Sequence, residues 1–366
     1  MNDAPNGLPR FLRRAASRAK RAARTLTTLS ADRGSEPSEL PEAPTGGESE
    51  TPPELPPAPV AITDEFDAIE VKKCRRELGV AVRPIVEGTD PSAIEPVWPA
   101  TLPTGHLGQL TAEVQEEHRR RFEPLTVERC HWYHQVPAAD GSRLPGAWDL
   151  NGSESVYLGG VDLAGRRVFE LGPATGHLTW WMEREGADVV AFEAGLDCHN
   201  DLIPYGREVT EEIRDSAMRF ISTVQRSWWW TKVEHGLRAK VAYGTVYDLP
   251  DDLGEFDVSV LGAVLLHLRD PFGAMMQVAS RTTDTIVVTD LEPPRPWGDT
   301  EMRFNPVEGD HSSWWTITPG AMRRMLRNVG FTEQTITRHV QWHRPSHVLT
   351  AEPIEMAMYT IVARRP

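Results

Sequence analysis

Cysteine is scarce: three in 366 residues, at positions 74, 130 and 198. They are too few and too far apart for a disulfide framework, and no C-x-x-C spacing supports a structural zinc site. No apolar run approaches the roughly 18 to 20 residues that a membrane span needs. The basic N-terminus is not followed by an apolar h-region, which argues against a secretory leader. Cationic side chains are also the minority, 39 Lys and Arg against 53 Asp and Glu, for a formal net charge of −14. These absences together leave the expectation of a soluble, cytoplasmic protein in a reducing compartment. At roughly 100 to 200 residues per domain, its length allows about two domains, or one with long extensions.

What is abundant is unevenly spread. Eight of the 30 prolines fall between residues 37 and 59, and Asp32 to Glu70 holds eleven acids against one Arg. Low hydrophobicity, charge and proline cannot offset chain entropy, so this stretch reads as a disordered acidic linker. Before it, residues 10 to 24 carry seven basic side chains and no acid. Alanines and leucines recur there at helical spacing, so the arm could form a basic amphipathic helix touching anionic lipid or nucleic acid. An alanine face buries little apolar area, and a solvated tail is the competing reading. Residues 1–69 are therefore a disordered arm and linker. Residues 70–125 are a loosely structured lead-in with one helix over 107–122, and 126–366 are the main folded domain.

From 126 onward, short apolar runs alternate with helical segments. Strands are expected at 167–171, 188–193, 240–243, 256–261, 284–290, 332–340 and 356–363, with helices at 177–184 and 319–329. Near-continuous apolar strands interleaved with helices indicate an α/β fold: a Rossmann-like, seven-stranded, mainly parallel sheet covered by helices on both faces. The last two strands, adjacent in sequence, should form an antiparallel pair at one edge.

Glu170-Leu171-Gly172-Pro173-Ala174-Thr175-Gly176 stands where the first of these strands turns into its helix. Glycines let the backbone pass close to a ligand, and the helix start offers free amides. The second strand ends in an acid, Glu193, able to accept both hydroxyls of a ribose. A dinucleotide fingerprint would need glycine at 174 and 177, where Ala174 and His177 stand. An adenosine ligand without a pyrophosphate is favoured, and a nicotinamide oxidoreductase is disfavoured.

With these residues in place, the sequence from about 130 to 365 resembles the class I S-adenosylmethionine-dependent methyltransferases. Within them it resembles the branch that includes bacterial wobble-uridine tRNA (carboxy)methyltransferases. The segments carrying the branch likeness are 129–134 (RCHWYH), 145–149 (PGAWD), 244–250 (GTVYDLP), 262–271 (GAVLLHLRDP) and 313–315 (SWW) ahead of 325–331 (MLRNVGF). The resemblance implies S-adenosyl-L-methionine as cofactor. Glu170, Gly172, Pro173 and Gly176 would line its amino-acid end, and Glu193 with Ala194 its ribose. Val246 and Tyr247 would flank the adenine, and Gly262 and Ala263 would floor the methyl donor. Two positions depart from the family. Ala174 replaces the middle glycine of the first motif, which is tolerable only if its φ is not positive. Leu266 replaces the tyrosine that precedes the histidine of carboxymethyl-transferring relatives, which favours ordinary methyl transfer.

Transfer from a sulfonium is an in-line displacement in which the protein mainly aligns donor and acceptor. A base is needed only where the acceptor is a hydroxyl or a protonated amine. His267 is the first candidate for it, and a histidine merely satisfied by backbone is the alternative. His134 and Tyr133 come next, with His131, either as substrate contacts or as an aromatic lid packed on the core. Cys130, His131 and His134 lack a fourth ligand, so no metal is expected. Trp228-Trp229-Trp230 and Trp314-Trp315 could stack a flat ligand, but packing is the favoured role. Residues 126–366 carry 23 basic and 33 acidic side chains, a net of −10. That is a poor platform for RNA phosphates unless the basic arm captures them, so the expected partner is a small molecule. A tRNA-modifying methyltransferase and a non-catalytic binding protein of the same fold are the rivals.

Overall fold

The computed structural model describes residues 71–73, 108–195, 201–203, 211–293, 298–304, 312–344 and 352–366. The basic arm, the proline-rich linker, Cys74 and Cys198 lie outside the described residues. All seven expected strands form: β3 (Arg167–Leu171), β4 (Asp188–Ala194), β5 (Lys240–Gly244), β6 (Phe256–Gly262), β7 (Thr282–Leu291), β10 (Glu333–His343) and β11 (Ile354–Arg364). Two short strands, β1 (Val71–Lys73) and β2 (Trp148–Asp149), extend the sheet to nine. β8 (Met302–Phe304) and β9 (Trp315–Ile317) make a separate antiparallel pair.

The sheet order is β1-β10-β11-β7-β6-β3-β4-β5. β5, β4, β3, β6 and β7 run parallel, as the crossover helices between them require. At the other end, the last two strands form the expected antiparallel pair: β11 lies between β7 and β10, antiparallel to both. The outer side of β10 is covered in turn, by β1 along residues 338–340 and by β2 along 342–343. At the opposite edge, Gln109 and Gln115 cover β5 with their side-chain amides. Each both donates to and accepts from the strand backbone, at Tyr243 and Val241 respectively. Exposed strand edges invite pairing with other chains, and these two glutamines close this one. They flank the start of helix α1 (Ala112–Arg121), inside the stretch expected to be helical.

Alternation along the strands sorts the apolar residues into two clusters, one per face. Phe169, Phe192, Leu261 and Val288 pack with α5 (Pro271–Arg281) and α6 (Pro319–Asn328). Val168, Ala191, Val260 and Val287 pack with α3 (His177–Arg184) and α4 (Glu211–His235). A short turn of helix, α2 (Glu154–Tyr157), adds to the second face. Asp270 and Thr318 cap α5 and α6 by accepting the amides of Gly273 and Ala321, and each is followed by a proline preset for the first turn. Trp228, Trp229 and Trp230 lie on α4 and are 2%, 1% and 7% exposed. The packing role holds for all three. No helix among the described residues is long and apolar enough to cross a membrane.

Candidate active site

The carboxyl ends of β3, β4, β6 and β7 meet at one end of the parallel sheet, where ligands of open α/β folds bind. The β3 turn passes through two left-handed glycines, Gly172 at φ +70° and Gly176 at φ +80°, the latter capping α3. A Cβ on Gly176 would stand 3.0 Å from Trp228 Cδ1, so the position needs glycine for space as well as for φ.

Ala174 does not avoid positive φ; it adopts +47°. The left-handed region costs an L-residue about 1–2 kcal/mol, so something must hold it there. Its amide donates to the Glu193 carboxylate, which also accepts the Ala194 amide at 2.7 Å. The turn is thus bent around the acid that ends the next strand. Ala263, just after β6, is the second non-glycine residue at positive φ, +48°, and its amide donates to Thr289 O at 2.7 Å. Strain of this kind is a recurrent feature of ligand-binding sites.

Glu170 is 2% exposed and accepts a hydrogen bond from Thr179, whose Oγ1 in turn accepts the Trp228 indole at 3.1 Å. Burial raises both Glu170 and Glu193 to about 7. The Thr179 hydroxyl and the Ala174 and Ala194 amides offset only part of the desolvation of these two carboxyls, which suits them to a donor-rich or cationic ligand.

His134 comes down on the turn from the N-terminal side. Its backbone amide donates to Thr175 Oγ1 at 3.2 Å, and its Nδ1 lies 3.3 Å from the same oxygen. Gly146 permits this approach: a Cβ there would stand 2.2 Å from the His134 carbonyl carbon. Burial lowers His134 to about 3, which makes it a weak base and suits it to holding a ligand in place. Tyr133 packs edge-on at 5.0 Å from that ring and is hydrogen-bonded by the Trp148 side chain. His131 is placed differently, its ring 4.7 Å from Phe220 on α4. Cys130 is a half-buried free thiol pushed up to about 12 by burial, which makes it inert. Among the described residues no group of His, Cys, Asp and Glu could hold a metal ion.

His267 lies in the short turn after β6, with Nδ1 donating to the Ser312 carbonyl at 3.0 Å. Val246 is buried in the core beside Phe192 and Leu249. The Tyr247 hydroxyl donates to Asp201, and Asp201 Oδ2 also accepts the Arg269 amide at 2.9 Å. Trp314 Nε1 donates to the Asp201 carbonyl at 2.5 Å. Segments following β4, β5 and β6 are therefore knotted together at the rim.

Several site residues escaped the sequence reading. Thr175 and Thr179 were visible only as part of the turn and its helix. Glu154 accepts from His177 Nε2 at 3.0 Å, fully buried, across 23 residues of chain. Tyr157 puts its hydroxyl 3.1 Å from where a Cβ on Gly262 would be. Asp290 is the penultimate residue of β7; an acid near the end of a parallel strand was the signal available for it.

No protein family description matches the chain, and no curated protein matches it. Solved structures with some likeness include the N-terminal domain of EvdMO1 in the presence of SAH and D-fucose, at 16% identity over 72% of this chain and 99% of that one, TM-score 0.36. Magnesium protoporphyrin IX methyltransferase of Synechocystis PCC 6803 with bound SAM aligns at 13% identity over 59% and 78%, TM-score 0.35. The 1,6-didemethyltoxoflavin-N1-methyltransferase of Burkholderia thailandensis, with its substrate and S-adenosylhomocysteine, aligns at 13% over 59% and 77%, TM-score 0.36. Likenesses this distant assign no activity, and the fold stands on its own strand order: five parallel strands, one reversed strand inserted beside them, and helices on both faces.

Proposed function

We propose that this chain is an S-adenosylmethionine-dependent methyltransferase that acts on a small or medium-sized metabolite by direct displacement. The observation that carries the proposal is the pair of carboxylates, buried Glu170 and half-buried Glu193, on either side of a strained turn whose helix opens with His177. A pyrophosphate would be repelled by two acids and would find no third glycine. A ligand with a cationic amino group at one end and a ribose diol in the middle complements both.

When bound, the cofactor would supply a methyl group already activated on sulfur. The chain's task is placement. Glu193 would accept the two ribose hydroxyls, with Ala194 and Pro173 bordering them. Glu170, steadied by Thr179, would face the amino group through the backbone of Gly172 and Gly176. Gly262 and Ala263 would floor the transfer position, and Tyr133 and His134 would close it from the N-terminal side. Val246 and Tyr247 would bound the adenine. Holding donor and acceptor in line removes much of the entropic barrier to a bimolecular step.

A metabolite is placed ahead of RNA because of the net −10 of residues 126–366, 23 basic against 33 acidic. The likeness to the wobble-uridine branch supports the alternative, with the arm at residues 10–24 capturing the RNA. One experiment addresses both levels. Calorimetric titration should show binding of S-adenosylmethionine and S-adenosylhomocysteine; a folded chain that binds neither sinks the enzyme reading. Methyl-labelled donor should then mark the metabolite fraction of a cell extract, with or without residues 1–60. Label confined to RNA and lost on that deletion would replace the metabolite by RNA.

A further inference from the structure

Asp290 has no part in the reading above, yet it is among the most constrained acids of the molecule. It is 4% exposed, at the carboxyl end of β7, one residue beyond the Thr289 that pairs with Gly262. Its Oδ1 accepts the Leu291 amide at 2.7 Å, while Oδ2 is buried with no hydrogen-bond partner. A buried acceptor without a donor is costly, and such groups in a folded protein call for an explanation.

The neighbours do not supply a structural one. Tyr359, its cross-strand partner, donates its hydroxyl to the Ile317 carbonyl at 3.1 Å. Glu292 is taken by Arg338 at 2.8 Å. The other phenol within electrostatic reach is Tyr157, whose hydroxyl stands against Gly262. The Tyr157 segment is held firmly: its carbonyl accepts from Thr289 at 2.6 Å and from Thr360 at 3.0 Å. His339, Gln341 and Ser153 continue that buried polar chain at 2.7–2.9 Å. An unserved carboxyl oxygen therefore stands buried near the carboxyl end of β7, beside β6 and the strained Ala263 that follows it, while Tyr157 fills the space at Gly262 on the other face of the sheet.

We propose that Asp290 is the acceptor-side base of this site, taking the proton of a hydroxyl or protonated amine on a small acceptor. The inference rests on the methyl-transfer reading. The acceptor's O–H or N–H bond breaks and its proton passes to Asp290 Oδ2. The electron pair that held the proton forms the bond to the methyl carbon. The carbon–sulfur bond breaks with its pair left on sulfur, so the sulfonium becomes a neutral thioether and no oxidant is needed. The acceptor class is thereby narrowed to alcohols, phenols and ammonium groups. Burial raises the Asp290 carboxyl to about 7, where a base is both ionised and effective at neutral pH.

Sinefungin tests this without knowledge of the acceptor, because it carries an ammonium on carbon where the donor carries its methyl sulfonium. Calorimetry on the full chain at pH 8 would compare sinefungin with S-adenosylhomocysteine, in the wild type and in Asp290→Asn. The wild type should prefer sinefungin, and Asp290→Asn should erase about tenfold of that preference, equivalent to about 1.4 kcal/mol. Its affinity for S-adenosylhomocysteine should stay within about twofold, the size of change expected when no direct contact is lost. An unchanged preference, or an equal loss for both ligands, overturns the proposal. Should Asp290→Asn fail to fold, the wild type answers alone: its preference for sinefungin should shrink between pH 8 and pH 5.5, and a constant preference overturns the proposal equally. A folded chain that binds neither ligand removes the methyl-transfer reading itself, an outcome distinct from a failure of Asp290.

Discussion

Around the glycine turn polar groups answer one another. Thr179 serves Glu170 and Trp228, and the Ala174 and Ala194 amides serve Glu193. At the end of β7 the arrangement is the reverse, with Asp290 keeping one carboxyl oxygen unserved and Tyr157 held by its backbone. The first half is preorganised around its own hydrogen bonds, as suits a ligand that is the same in every turnover. The second half leaves its polar capacity free, as suits a group that must exchange a proton with what it binds.

The sharpest way to break this contrast is Glu193→Ala. Two charge-assisted hydrogen bonds to a diol are worth about 2–3 kcal/mol together, so the affinity for S-adenosylhomocysteine should fall about 30- to 150-fold. Calorimetry against the wild type measures it. Binding that survives Glu193→Ala but is lost in Asp290→Asn would exchange the roles assigned to the two halves.

That the first half was legible in the sequence and the second was not has a physical basis. Glu170, Gly172, Gly176 and Glu193 are close in the chain, on two consecutive strands and the turn between them. Their spacing follows from the βαβ unit itself. Asp290 lies on a strand far along the chain from that turn, and it comes beside the end of β6 only because β7 pairs with β6. Strand positions were legible because short, near-continuous apolar runs record them. The short strands β1 and β2 that cover β10 were not, because pairing partners leave no local trace. Ala174 shows a different limit. The sequence set a condition, a non-positive φ, that the structure does not meet, because the hydrogen bond from its amide to Glu193 outweighs the local preference.

Acidity offers a second, smaller test. Glu193 and Asp290 are both raised by burial to about 7, from ordinary values of 4.5 and 3.8. A carboxyl whose folded pKa is raised contributes stability that is complete below its unfolded pKa and is lost as pH rises through the folded one. Wild-type stability from these groups therefore declines between about pH 4 and pH 7. His118, His131, His339 and His343, lowered to about 4 by desolvation, act oppositely: their contribution is lost as pH falls below about 6.5. The difference between variants isolates the carboxyls. Asp290→Asn should match wild-type thermal stability at pH 4.5 and exceed it at pH 8, by a margin on the order of a few degrees. Glu193→Gln should show a smaller margin, because its shift is smaller. Melting curves at the two pH values check both, and equal margins would remove the asymmetry between the halves.

The smallest effect is expected at the two left-handed alanines, which sit at the ends of the adjacent central strands β3 and β6. Replacing either by glycine relieves about 1–2 kcal/mol of backbone strain, and the unfolded chain takes back about 0.4–1 kcal/mol through its added freedom. Ala174→Gly and Ala263→Gly should each stabilise the protein by about 1 kcal/mol or less, measured by denaturant midpoint at unchanged slope. The two should part company on binding. Glycine at 174 loosens the turn that presents its amide to Glu193, so affinity for S-adenosylhomocysteine should drop slightly even as the fold gains. At 263 the amide is already committed to Thr289, and affinity should hold. If both variants bind as tightly as the wild type, strain at the turn contributes nothing to preorganisation, and the contrast between the two halves then rests on their hydrogen bonds alone.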